Sequence, residues 1–418
     1  MKKNHKIIIC IISLICVIAA ITAIIFTSNK QMTLKKKQAE TVVVGFYDLP
    51  DSQKNAFTEV ITKLCSSNEI PVSFYNIQKE SDFTTQINEN KINLVLAQSG
   101  YAVKNAVEAA STEAQINPDL LSGMFSSAQN SLITTDKKIK ALPVLFDNME
   151  INIETSEFYE SGLQNVATWD DIQELSVILQ KKLKYPVSLA GAEPVFLLDL
   201  LGALGEAFEG EEAYESAATI LQEAAETKKA QGKFDALETV NKIFINPDAP
   251  IPYSLYFLKQ LSKKGFITPS AKDLIHQDID SLIELRQTDI FFTTLSVHRT
   301  YDEQALSRFS TIYIPSQTNL SKRHLTATAT YAVPLSESKN IATVIEGLLS
   351  YENQSQISTL TGLAPVLANC STPDQQANDA RFWIAASSTP FAGLGHEAEL
   401  SDSDLQALAK EIQVLLFY

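Results

Sequence analysis

The chain opens with an uncharged, mostly apolar run from Ile7 to Phe26, preceded by Lys2, Lys3 and Lys6. Its length suits a bilayer-spanning helix, and the lysines set the N-terminus on the cytoplasmic side. Residues 1–30 therefore read as a signal anchor. Cleavage after Ala23 and a lipoprotein-type box ending at Cys16 are the alternatives. A polar linker, 31–40, follows. Thr41–Asp48 then reads as a buried strand, with Phe57, Val60, Ile61 and Leu64 at helical spacing behind it. Pro71–Ile77 and Lys91–Ala97 are further strands. Strands alternating with helices at this spacing imply a parallel sheet covered by helices.

From Ala141 to Asn152 the pattern changes. An apolar run broken by Pro143 passes into alternation, with Phe146, Asn148, Glu150 and Asn152 on one side and Asp147, Met149, Ile151 and Ile153 on the other. That is an extended segment with one wet and one mostly buried face. Thr168-Trp-Asp-Asp171 beyond it is a capping-box helix start. We read the stretch as a hinge between two lobes and one wall of a ligand cleft. Later, Tyr185–Leu189, Ile290–Val297, Thr311–Pro315 and Thr326–Pro334 read as strands. Val195–Phe208, Tyr253–Gly265 and the stripe Ile341, Val344, Ile345, Leu348 and Leu349 read as helices, as does the closing run Leu405, Leu408, Ile412, Leu415. The charged stretch Glu209–Lys233 reads as a helix with a solvated face.

Length and composition add bounds. The 418 residues suit two lobes plus an anchor, and 45% hydrophobic with 20% charged is ordinary globular composition. A formal charge of -15 argues against a nucleic-acid partner. Of four cysteines, Cys10 and Cys16 lie in the apolar run. A compartment outside the cytoplasm would allow Cys65 and Cys370 to pair. The simpler reading is two small buried apolar side chains.

Candidate chemistry is sparse. The histidines show no zinc spacing, and there is no nucleophile elbow and no phosphate-binding glycine loop. No cofactor or metal is expected. Gly393-Leu-Gly-His-Glu397 reads as a flexible turn. Because ligands on parallel sheets sit beyond the carboxyl ends of the strands, Asp48 and the Gln98-Ser99-Gly100-Tyr101 turn become candidate contacts. Asp48 equally suits capping the next helix. The small-residue loop Ala190–Pro194 brings in Glu193. Glu193 and Glu150 could in principle form a glycosidase pair.

Taken in order, four segments resemble the extracellular solute-binding proteins of ATP-driven importers, the family of sugar-binding and maltose-binding proteins. They are Ala141–Asn152 before Thr-Trp-Asp-Asp, Leu258–Ile267, Tyr331–Asn340 with its following helix, and Leu348–Pro365. The resemblance implies an α/β, two-lobe fold with several hinge crossings. The first lobe would take 41–147 plus about 289–324, and the second 148–288 plus about 325–418. It implies a small-molecule ligand, a sugar or oligosaccharide, held by hinge closure outside the cytoplasmic membrane and passed to a permease. Asp48, Ser99, Tyr101, Phe146, Asn148, Glu193, Ser296, Arg299 and Tyr331 are the candidate ligand contacts. Arg299 also suits pairing between lobes. Two departures stand out. Where many members carry a tryptophan after a strand, this chain has Leu295-Ser-Val-His-Arg299, and Ile151-Asn152 replaces the usual Tyr-Asn. A membrane-tethered sensor or scaffold that has kept the fold without transport is the alternative reading.

Overall fold

The computed structural model describes residues 40–418 apart from 80, 164, 165, 167 and 317–322. The apolar run 7–26 and the linker before Glu40 lie outside the described residues. No helix among the described residues is long and apolar enough to cross a membrane.

Two sheets organise the molecule. The first runs β2 (Val72–Ile77), β1 (Val42–Tyr47), β3 (Leu94–Gln98), β10 (Ala329–Pro334), β5 (Lys138–Phe146) and β4 (Ile133–Thr135). The first three strands are mutually parallel, and β10 is antiparallel to both β3 and β5. The second sheet runs β7 (Val187–Ser188), β8 (Ile290–Thr294), β6 (Met149–Glu154) and β9 (Phe309–Tyr313). Each carries its own apolar core. Val42, Val44, Phe57, Ile61 and Leu94 are wholly buried in the first, and Ile151, Leu175, Leu201 and Phe292 in the second. Cys65 and Cys370 are free thiols buried in the first core. They come from opposite ends of the described chain and pack as small apolar groups.

The expected division of the later chain is reversed. Strands β8 and β9 do not return to the first sheet; both pair with β6. Strand β10 is the one that returns, bringing the helices Lys339–Leu348 and Tyr351–Thr361 onto the first core. The tail then divides. Leu394 onward, including the helix Asp402–Phe417, packs on the second core. The reason lies in pairing rather than hydropathy: Ile290–Thr294 and Ala329–Pro334 are equally apolar, and only the register says which neighbour each adopts.

The lobes are joined by three crossings that lie side by side. Asp147 donates its N–H to the Thr328 carbonyl at 2.8 Å, and Met149 donates to Thr326 at 2.9 Å. Ala327 and Phe391 close the third side, each 3.0 Å from a partner carbonyl. The Ala141–Asn152 stretch is thus two strands broken at Asp147-Asn148, with the break at the hinge. Its polar face is not wet. Glu150 and Asn152 are wholly buried, because the helix Gln375–Ala386 lies over them. Gln376 Nε2 donates to Glu150 Oε1 at 2.6 Å and to Thr311 Oγ1 at 3.1 Å, and His298 Nδ1 sits 2.7 Å from the same carboxylate oxygen.

Candidate functional site

The parallel strands β1, β2 and β3 end on one edge of the first lobe, facing the second. Their ends line a cavity of about 460 Å³. Phe46, Asp48, Leu49 and Pro50 come from the end of β1 and its turn. Asn76, Gln78 and Lys79 come from the end of β2, and Gln98 from the end of β3. From the second lobe, His396 is the residue that reaches in. The lining is rich in amides and hydroxyl-free polar groups, with one carboxylate and two lysines. Lys54, one of the lysines, is paired with Asp51 at 2.5 Å. The other, Lys79, lies over the Tyr101 ring at 5.2 Å.

Asp48 takes a left-handed backbone conformation, φ 56°, at the turn out of β1. Its carboxylate accepts a hydrogen bond from the Tyr101 hydroxyl at 2.9 Å, and the residue lines the cavity. It does not cap the next helix, whose N-cap is Pro50. Burial and the neighbouring Asp48 carboxylate push the Tyr101 phenol far above its usual range, so it stays a donor.

The second lobe meets this edge through residues 391–399. Phe391 stacks flat on Tyr214 with ring centroids 3.9 Å apart. Gly393, at φ +98°, turns the chain so tightly onto Asp199 that a Cβ there would lie 2.4 Å from its Oδ1. The Gly395 N–H donates to Asp199 at 2.8 Å. The Gly393–Glu397 segment is therefore a short, clamped helix and not a flexible turn. It presents His396 to the first lobe: Nε2 is 3.4 Å from Gln98 Nε2 and 3.4 Å from Asp199 Oδ2, and Nδ1 is 4.0 Å from Asp48 Oδ2. The first lobe makes room with Gly100, φ +92°, where a Cβ would fall 2.0 Å from the His396 carbonyl oxygen. Lys104 and Glu397 pair across the same seam at 3.4 Å.

The other expected contacts lie elsewhere. Ser99 spends its N–H and Oγ on Ala329 of β10, at 2.8 and 3.0 Å. Phe146 and Tyr331 are core side chains of the first lobe. The first packs on Phe125, and the second donates its hydroxyl to the Ser131 carbonyl at 2.9 Å. Asn148 is buried at the hinge, donating from Nδ2 to the Met149 carbonyl. Ser296 is also at the hinge, its N–H and Oγ both donating to Asp147. Burial pushes the Asp147 carboxyl up to about 6 against those bonds. Arg299 pairs with Asp374 at 2.5 Å and donates to the Gly362 carbonyl, tying the lobes together. Glu193 is the N-cap of the helix Pro194–Glu209 and makes no capping bond with its side chain. It has no tie to Glu150, whose carboxylate is sealed under Gln376. Trp169 is buried against Phe257, and Trp383 meets Tyr313 edge-on; neither lines the cavity.

Asn76, Gln78, Lys79 and His396 were missed from sequence. The strand-end rule that selects Asp48 applies equally to the end of β2 and could have found the first three. Nothing in the local sequence points to His396, because its position depends on Asp199, nearly two hundred residues earlier.

No family model matches the chain, and no curated protein matches it by sequence. Solved structures do match. A bacterial solute receptor, AcbH, described as having an exclusive preference for β-D-galactopyranose, superposes with a TM-score of 0.65 at 14% identity, over 90% of this chain and 96% of that one. Apo RafE from Streptococcus pneumoniae gives 0.64 at 14%, over 90% and 98%. A chitin oligosaccharide binding protein gives 0.61 at 16%, over 90% and 98%. The chain shares the two-lobe α/β fold of these solute receptors.

Proposed function

We propose that the chain is the extracytoplasmic solute-binding component of an ABC-type importer. It captures a small polar solute of the sugar class between its lobes and hands it to a permease in the cytoplasmic membrane. Residues 1–30 would tether it there. The observation that carries the reading is the cleft itself. Three parallel strands of one lobe end on a polar cavity, the other lobe reaches in with His396, and three adjacent crossings allow the lobes to hinge. Amide-rich lining suits a ligand that offers both donors and acceptors. Mass spectrometry of small molecules released from the purified chain tests this. A sugar-sized polyol is expected, and a chain that never carries or binds one would overturn the reading.

A second reading, a tethered sensor or scaffold without transport, is favoured by the absence of tryptophan from the cavity lining. The sugar binders that the chain resembles usually stack their ligand on tryptophan, and the phenyl ring in this lining is Phe46. Deleting the chain separates the two. Loss of uptake of the bound solute supports the importer role, and unchanged uptake supports the sensor.

A further inference from the structure

We propose that His396 is a proton-operated latch, its imidazolium tying Asp48 of the first lobe to Asp199 of the second and so holding the cleft shut. The inference rests on the reading of this cleft as the ligand site. Its basis is geometric. The ring is nearly buried in the seam, with a carboxylate from each lobe on two sides, at 3.4 and 4.0 Å. It sits on a segment that Asp199 and Tyr214 fix to the second lobe. It therefore moves with that lobe and meets Asp48 only when the lobes approach.

The charged groups facing it come from five elements. Asp48 follows β1, Lys79 follows β2, and Asp199 lies on the helix Pro194–Glu209. Lys104 lies on the helix Tyr101–Ala109 and is paired with Glu397 of the latch segment itself. The cations are thus partly occupied, Lys104 by Glu397 and Lys79 by the Tyr101 ring, leaving the two carboxylates as the dominant neighbours. A neutral ring would leave Asp48 and Asp199 on either side of the seam without a bridging positive charge.

Burial opposes the charged ring, but the Asp199 and Asp48 carboxylates overcome it and raise its pKa above the ordinary 6.5. With the lobes apart, Asp199 stays beside the ring and Asp48 is removed, so what closure adds for the imidazolium to answer is the Asp48 carboxylate at 4.0 Å. The protonated form thus favours closure. The latch is engaged while the ring is protonated and releases as pH rises through the raised value of the closed seam.

The test is energy transfer between labels on Glu69 of the first lobe and Asp248 of the second, both exposed, in the full chain between pH 5.5 and 9. The labels should separate as pH rises, with a midpoint above the ordinary histidine value. His396→Gln should abolish the step, and Asp199→Asn should shift its midpoint down. Asp147 titrates within this window at the hinge, and His396→Gln distinguishes the two. A distance that ignores pH, or a step that survives His396→Gln in a folded variant, would overturn the latch. If His396→Gln does not fold, an unmoved midpoint in Asp199→Asn overturns it instead. The measurement needs no ligand, so it can fail while solute binding stands, and can succeed if the solute reading fails. Where a bound solute is in hand, its affinity should be about threefold or more tighter at pH 5.5 than at pH 9.

Discussion

At the residue scale the seam between the lobes depends on Gly100. Its φ of +92° is strained for any side chain, and an added Cβ would meet backbone rather than a movable side chain. Gly100→Ala should therefore cost on the order of 1–3 kcal/mol in thermal unfolding and lengthen the Glu69–Asp248 distance. Unfolding and interlobe distance like those of the wild type would mean that the lobes do not meet through His396. Asp48 is the complementary position. Its left-handed backbone is tolerated by asparagine, so Asp48→Asn removes charge without backbone strain. Single residues were also where sequence reading served least. Asp48 and Gln98 were legible because strand ends on a parallel sheet have a fixed relation to the ligand crevice. Phe146 and Tyr331 misled because an aromatic at a hinge or in a strand carries the same letter whether it faces a cleft or a core.

At the element scale the helix Gln375–Ala386 does what no local pattern announces. It caps its own start with Asp374, and that same carboxylate holds Arg299 of the other lobe. In its first turn, Gln376 donates to Glu150 and to Thr311 on the second sheet, and Thr311 in turn donates to Asn152, while Ala380 and Ile384 pack on the first core. Gln376→Ala should be the costlier change, about 1–3 kcal/mol in urea unfolding, since it strips the wholly buried Glu150 of a donor. Arg299→Ala, at a partly exposed pair, should cost about 1 kcal/mol or less. Equal losses would place the helix's hold on the second lobe at the rim rather than at the buried cluster. Helices with a stripe and a cap were well read from sequence. Thr168 and Asp171 form the reciprocal capping box that Thr-Trp-Asp-Asp suggests. The alternation of Glu150 and Asn152 was read correctly as a strand and wrongly as wet, because a covering helix more than two hundred residues away leaves no trace in the strand.

At the scale of the whole molecule, the two sheets and the hinge at Asp147-Asn148 follow from periodicity and from the break between an apolar run and an alternating one. The return path does not. Periodicity finds β8, β9 and β10 but is silent on register, and the resemblance placed them in the wrong lobes. What the corrected path produces is a pair of lobes held at the back by three adjacent crossings and by Arg299, and meeting at the front through Asp48, Gln98 and Gly100 against His396. Back and front should therefore respond differently to perturbation. Changes at the front should alter solute affinity with little effect on unfolding, Gly100 excepted. Changes at the back should alter unfolding first.

The most direct measurement is isothermal titration of the full chain with its co-purifying solute, comparing wild type with Asp48→Asn and Gln98→Ala. Each variant is expected to bind about tenfold more weakly, about 1.4 kcal/mol, with an unchanged unfolding midpoint. Affinity untouched by both substitutions in folded protein would show that the solute binds somewhere other than the edge where β1, β2 and β3 end.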